Sequence, residues 1–221
     1  MQAPPGITIT TMSPEQIRVV VIVYISALLP LLLVPLLRRR QVIPGWVPVV
    51  YVGCLLLCAL GWELWFNYGW VAGDPVDMRR DPALNRMIPI HINWLMNSLA
   101  DAGSVCLFGL WLMWRAAGRD ARVFEQWLWW PFVVLLAWCI SQNIFVEMFL
   151  YHDQLATGKP LSWAPLVPTG PWWNPILFEF GDRTITLQGQ VSWLLTPWIL
   201  YAATIAYVRR WKAAGNHPVT G

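Results

Sequence analysis

Between residues 19 and 37 the chain runs nineteen residues without a charged side chain, and Arg38, Arg39 and Arg40 follow at once. A bilayer core of roughly 30 Å is crossed by about 20 largely apolar residues in a helix. Lipid offers the backbone no hydrogen-bond partners, so such a stretch has to satisfy its own polar groups as a helix. Four further stretches qualify, at 47–68, 88–114, 127–151 and 191–208. Only 12% of the residues are charged, against about 25% in ordinary soluble domains, too few to cover a soluble globule. An apolar chain with 17 tryptophans is equally unlike a disordered one. The sequence predicts an all-α integral membrane protein: one transmembrane domain over 1–221 with five membrane-spanning helices.

Charge then sets a direction. Nine basic residues (Arg38–Arg40, Arg115, Arg119, Arg122, Arg209, Arg210 and Lys212) follow the first, third and fifth spans, with only Asp120 and Glu125 among them. The other side carries six basic residues diluted by seven acids. Short basic loops stay in the cytoplasm, so the N-terminus is expected outside and the C-terminus cytoplasmic. The net charge of +3 is this topological signal, and no nucleic-acid partner is read into it. The basic residues follow the first apolar run instead of preceding it, unlike a cleavable signal. The expected location is the cell membrane in a bacterium or the endoplasmic reticulum in a eukaryote, with membrane lipids and a second copy of the chain as candidate partners.

Polar residues inside the spans are costly and mark candidate functional positions. Glu63 and Asn67 stand four apart on the second span, and Asn93, Asn97 and Asp101 repeat that interval on the third, with Ser104 next. Asn143, Glu147 and Tyr151 do so on the fourth, and Gln188, Ser192 and Thr196 on the fifth. Each interval places its residues on one helical face. At 1.5 Å per residue, Glu63 lies roughly 24 Å from the inner edge of its span and Asp101 about 16 Å below the outer edge of its own. A shared cavity open toward the outer side accounts for four polar stripes at similar depth. Interhelical hydrogen bonding is the bland alternative for Asn97 and Thr196, and simple solvation for Glu147.

A carboxyl in an apolar pocket is suited to general-acid work, and a second acid nearby can take the opposite role. Metal chemistry is poorly supported, because His91, His152 and His217 form no ligand pair. Cys54, Cys58, Cys106 and Cys139 fall within spans without paired spacing and read as packing residues. No phosphate-binding or nucleophile-elbow motif occurs. The residues therefore suggest cofactor-independent acid–base chemistry, without a metal, on a lipophilic small molecule entering from the membrane. Protonating an alkene makes a carbocation, which a desolvated Trp face stabilises by about 2 kcal/mol. Of the tryptophans, thirteen fall at the two interfaces or in loops as anchors, and only Trp62, Trp65, Trp138 and Trp198 lie deep.

The segment Trp62-Glu63-Leu64-Trp65-Phe66 is similar to the Glu-x-Trp-Phe of the emopamil-binding protein (EXPERA) family of membrane isomerases and ligand binders. Asp101 precedes Cys106-Leu107-Phe108-Gly109 by five residues, which resembles a second family segment. Gln190-Val191-Ser192-Trp193-Leu194-Leu195-Thr196-Pro197 is close to a family Asn-x-x-Trp-Leu-x-x-Pro. The resemblance covers most of 47–208 and implies sterol isomerisation with Glu63 and Asp101 as the proton-transferring pair. It also implies Gln190 and Trp193 as substrate-lining residues. The chain differs in carrying Ala59 where the family has His, Asp101 for Glu and Gln190 for Asn. A weaker resemblance, through Leu60-Gly61-Trp62-Glu63, is to the integral membrane terpene cyclases, which have more spans and a late acid that this chain lacks.

The expected function is thus a membrane-embedded isomerase or cyclase acting through a carbocation on a sterol-like or terpenoid lipid. Glu63 is the expected general acid, and Asp101 the expected acceptor. Trp62, Trp65, Asn67, Asn97, Ser104, Trp138, Asn143, Glu147, Gln190 and Trp193 are the expected substrate-binding residues. The alternatives are a non-catalytic lipid binder and a structural subunit of a membrane complex.

Overall fold

A computed structural model describes residues 12–71, 74–159, 172, 174–181 and 183–215. The chain is mostly helical. Helix α1 (Pro14–Arg39) starts in a capping box, with the Gln16 amide donating to Ser13 Oγ and the Ser13 amide to Gln16 Oε1. It ends on arginines, whose charge suits a helix C-terminus. One helix continues through Pro30 and Pro35, where the prolines suggest a kink. Pro30 is accommodated by Gly103, where any Cβ would collide with the proline ring.

The expected second span is two helices. α2 (Val47–Leu60) and α3 (Trp62–Tyr68) meet at Gly61 with a bend of 41°. A Cβ at Gly61 would strike the Leu57 carbonyl oxygen, so only glycine fits the corner. The Ala59 carbonyl beside the break accepts the Trp94 indole N–H at 2.8 Å, which supplies in an apolar surrounding what water would supply elsewhere.

A short hairpin, β1 (Trp70–Val71) and β2 (Asp74–Pro75), leads through α4 (Val76–Arg79) and α5 (Pro82–Met87) to the third span. That span runs Ile90–Ala116 as α6 (Ile90–Ala100), a π-helical segment Asp101–Leu107 and α7 (Phe108–Ala116). The fourth runs Trp129–Gln154 as α8 (Trp129–Val146), a second π-helical segment Glu147–Tyr151 and a 3₁₀ turn. A second hairpin, β3 (Ile176–Phe180) with β4 (Arg183–Thr186), precedes α9 (Leu187–Ala213). Gly181 turns it with φ of 63°, a conformation that glycine adopts freely. The two hairpins lie in the connecting loops, outside the helices of the expected all-α fold. Among the described residues four helices are long and apolar enough to cross a membrane, and the bent pair α2–α3 makes a fifth if it is one span.

The two ends of the bundle are chemically sorted. At one end Gly45 sits against both Arg38 and Trp211, and Glu125 binds Lys212 through its carboxylate and Arg209 through its carbonyl, both at 2.5 Å. The basic ends of α1, α9 and the α7–α8 loop therefore meet, as the charge pattern predicts. At the other end Asp153 is held between Arg18 and Arg183, and both guanidinium groups approach the Phe149 ring at 5.6 Å. There the loop residues 79–81 pair with 154–156, the Asp81 amide donating to Gln154 O and the Ala156 amide to Arg79 O, both at 2.8 Å. Arg80 is buried in this closure, and burial pulls its guanidinium down to about 10, partly opposed by Asp77.

Leu32, Ile25 and Ile199 stand exposed on the exterior, as a lipid-facing surface requires. Trp198 does not join Trp62 and Trp138 at depth. It packs on Phe132 at 4.3 Å and stacks on Trp127 at 5.7 Å, part of an aromatic cluster at the basic end. The close fit of α1 on the π segment makes Gly103→Ala destabilising by about 1–3 kcal/mol, the usual cost of overpacking. The melting temperature in detergent should fall, whereas Gly53→Ala, whose Cβ meets open space, should leave it unchanged.

Candidate functional site

Each of the three membrane acids sits where its helix departs from regularity. Glu63 lies in the first turn after the Gly61 break, Asp101 opens one π-helical segment and Glu147 opens the other. A π-helical turn inserts an extra residue and re-aims the side chains that follow; such turns are frequent at functional sites.

Glu63 is 1% exposed and is held by amides. Asn67, one turn on, donates to Glu63 Oε2 at 2.7 Å and to the Glu63 carbonyl at 2.9 Å. Asn93 of α6 donates in turn to Asn67 Oδ1 at 2.6 Å. Asn97 stands beside the Glu63 carboxyl, and Asp101 is its electrostatic neighbour. The four-residue interval on the third span thus does what it promised: Asn93, Asn97 and Asp101 all face α3. Asp101 Oδ2 accepts the Trp62 indole N–H at 2.8 Å. Consecutive residues Trp62 and Glu63 therefore both reach the third span, and Trp62 packs edge-on against Trp193 of α9 at 5.3 Å.

Glu147 is fully buried, not solvated. Gln190 donates to its Oε2 at 2.7 Å, and Asn143 donates to the Gly189 carbonyl at 2.8 Å. The carboxyl lies against Gly189 in the space a Cβ would fill. Glu147 Oε1 and Gln190 Oε1 have no hydrogen-bond partner among the described residues. The ion pairs formed among the described residues leave all three carboxyls out, so neutral donors carry the whole of their satisfaction.

A cavity of about 190 Å³ opens beside this network. Asp101, Asn97, Ser104 and Trp138 lie on its wall, together with Tyr151, Gln142 and Gln154, none of which the sequence singles out as substrate-binding. Tyr151 belongs to the four-residue pattern of the fourth span, which was the available signal; Gln142 and Gln154 had none. Ile22 and Val23 of α1 and Phe145 and Val146 of α8 form facing walls. These two helices scarcely touch, and Phe145 is 46% exposed, so the cavity opens to the exterior between them. Ser104 donates to Ser26 O at 2.7 Å and Trp138 to Val105 O at 3.1 Å.

Other expected residues stand off the wall. Glu63, Asn67, Glu147 and Gln190 are buried and off the wall, Asn143 bonds the α9 backbone, Trp193 packs on Trp62, and Trp65 is 45% exposed. No group of three or more His, Cys, Asp or Glu able to hold a metal occurs among the described residues; His217, and the loop tryptophans Trp163 and Trp173, lie outside those residues. Neither a known protein family nor a curated protein or solved structure matches the chain.

Leaving a buried acceptor without its donor costs about 1–3 kcal/mol. Trp62→Phe should therefore lower the thermal stability in detergent by that amount, and Trp65→Phe should not. A Gly189→Ala variant should be less stable still, because its methyl group takes the place of the Glu147 carboxyl.

Proposed function

We propose that the protein is a membrane-embedded isomerase or cyclase that moves protons on a sterol-like or terpenoid alkene without a cofactor. The observation that carries this reading is the Asp101 carboxyl on the wall of a lipid-facing cavity, backed by the buried Glu63 and paired with no basic residue. An acid kept from water and from cations holds its proton for a substrate. The sequence assigns the donor role to Glu63; because Asp101 is the one on the wall, the reading places Asp101 against the substrate and Glu63 behind it as its proton-sharing partner. Trp138 is the wall tryptophan whose face meets the carbocation.

The substrate enters between α1 and α8. Its reacting end fills the cavity and its remainder stays in the bilayer, which fits the modest volume. The resemblances to the EXPERA isomerases and to the membrane terpene cyclases support the same chemistry, and the departures at Ala59 and Gln190 leave open which lipid skeleton is used. The bent pair α2–α3 crosses the membrane as the second of five spans, the N-terminus lies outside and the basic end faces the cytoplasm. An impermeant thiol reagent added to intact cells should label Thr157→Cys and leave Ala121→Cys untouched.

The activity test is incubation of purified protein in D₂O with two probes, a steroid bearing a ring double bond and a linear polyprenyl alkene. Wild type should introduce deuterium at carbon and shift or cyclise one of them. Asp101→Asn should lose about 10²–10⁴-fold in rate, the usual worth of a positioned acid or base. Ligand bound tightly but recovered unchanged and unlabelled would mark a lipid-binding protein instead.

A further inference from the structure

Glu63 and Glu147, each 1% exposed or less, are buried and do not line the cavity. Among the described residues lining the cavity, only Asp101 and Tyr151 carry titratable groups. The two wall serines are committed to backbone carbonyls, Ser26 to Val23 and Ser104 to Ser26. Tyr151 ends the π-helical segment that Glu147 opens. Its ring meets Phe66, one turn beyond Glu63, at 6.5 Å between centroids. Its hydroxyl is an electrostatic neighbour of Glu63, Asp101 and Glu147, one acid from each of three spans.

From this placement we infer that Tyr151 is the second proton port of the cavity, which passes a proton from the substrate to the buried Glu63 while Asp101 supplies one from its own carboxyl. The inference rests on the acid–base reading above. Asp101 gives its proton to one alkene carbon and becomes a carboxylate, leaving a cation on the adjacent carbon. A C–H bond next to the cation then breaks, and its electron pair forms the new double bond. The neighbouring Glu63 gives its own proton to the Asp101 carboxylate and is left ionised. The released proton goes to the Tyr151 oxygen as the phenolic proton moves to the Glu63 carboxylate, which restores both acids. One proton is added to the substrate and one removed, with no oxidant and no net proton taken from solvent. The π-helical turn is what aims Tyr151 at the cavity; Glu147 is the third acid beside it and is held away from the substrate by Gln190 and Gly189.

A closed circuit predicts an isotopic signature. In D₂O, wild type acting on the ring-alkene steroid or the polyprenyl probe should place less than one deuterium in each product molecule, because part of the substrate's own hydrogen is returned. Tyr151→Phe keeps the ring against Phe66 and removes the hydroxyl. Its kcat should fall about tenfold or more with KM within about twofold, and its product should approach one deuterium per turnover, because Asp101 must now be reprotonated by solvent. A Tyr151→Phe variant with wild-type kcat and wild-type labelling overturns the relay and leaves the acid–base reading intact. So does a lower kcat with unchanged labelling, the mark of a merely structural role. If wild type neither labels nor isomerises or cyclises either probe, the acid–base reading falls and takes the relay with it.

Discussion

The structure is organised around carboxyl groups buried among apolar helices without a basic partner. Taking an ionised carboxylate out of water costs many kcal/mol unless it is paired or protonated. Here the response is a set of neutral donors: the Asn93–Asn67 chain to Glu63, the Trp62 indole to Asp101, and Gln190 to Glu147. Each donor comes from a neighbouring turn or a neighbouring helix, so satisfying the acids fixes how α3, α6, α8 and α9 face one another. The basic residues are left to the two ends of the bundle, where Asp153 and Glu125 meet them.

The same need explains the irregular helices. The break at Gly61 turns α3 by 41°, and from there Trp62 and Glu63 both reach the third span. The π segment that Asp101 opens points Ser104 at the α1 backbone, and the one that Glu147 opens carries Tyr151 into the cavity. Glycine supports each departure. Gly61 allows the corner, Gly103 admits Pro30 and Gly189 receives the Glu147 carboxyl.

The spans were legible in sequence because length and apolarity decide them. The expected 47–68, 88–114 and 127–151 stand against the bent pair α2–α3, Ile90–Ala116 and Trp129–Gln154. The four-residue spacings were also legible as shared faces, and Asn93, Asn97 and Asp101 keep theirs. What periodicity could not show is a change of period. An α-helical count takes no account of a π turn, so the cavity-facing position of Tyr151 was only a member of a stripe. Burial order was hidden too, since two acids on adjacent helices read alike until one is seen on the wall and the other behind it. Trp198 looked deep by its place in the last span and proved to belong to the aromatic cluster around Trp127, because a span's ends are set by its neighbours as well as by its own hydropathy.

The central claim is that the cavity stabilises positive charge developing on a lipid against Asp101. Since an enzyme binds its transition state more tightly than its substrate, the direct measurement is equilibrium binding of two isosteric probes. One is a lipophilic tertiary ammonium compound carrying its charge where the carbocation would form, and the other is the same skeleton with carbon in place of nitrogen. The account predicts that wild type prefers the ammonium probe by about 10²-fold or more and that Asp101→Asn abolishes most of the preference. Equal affinity for the two probes, or a preference unchanged in Asp101→Asn, would contradict it.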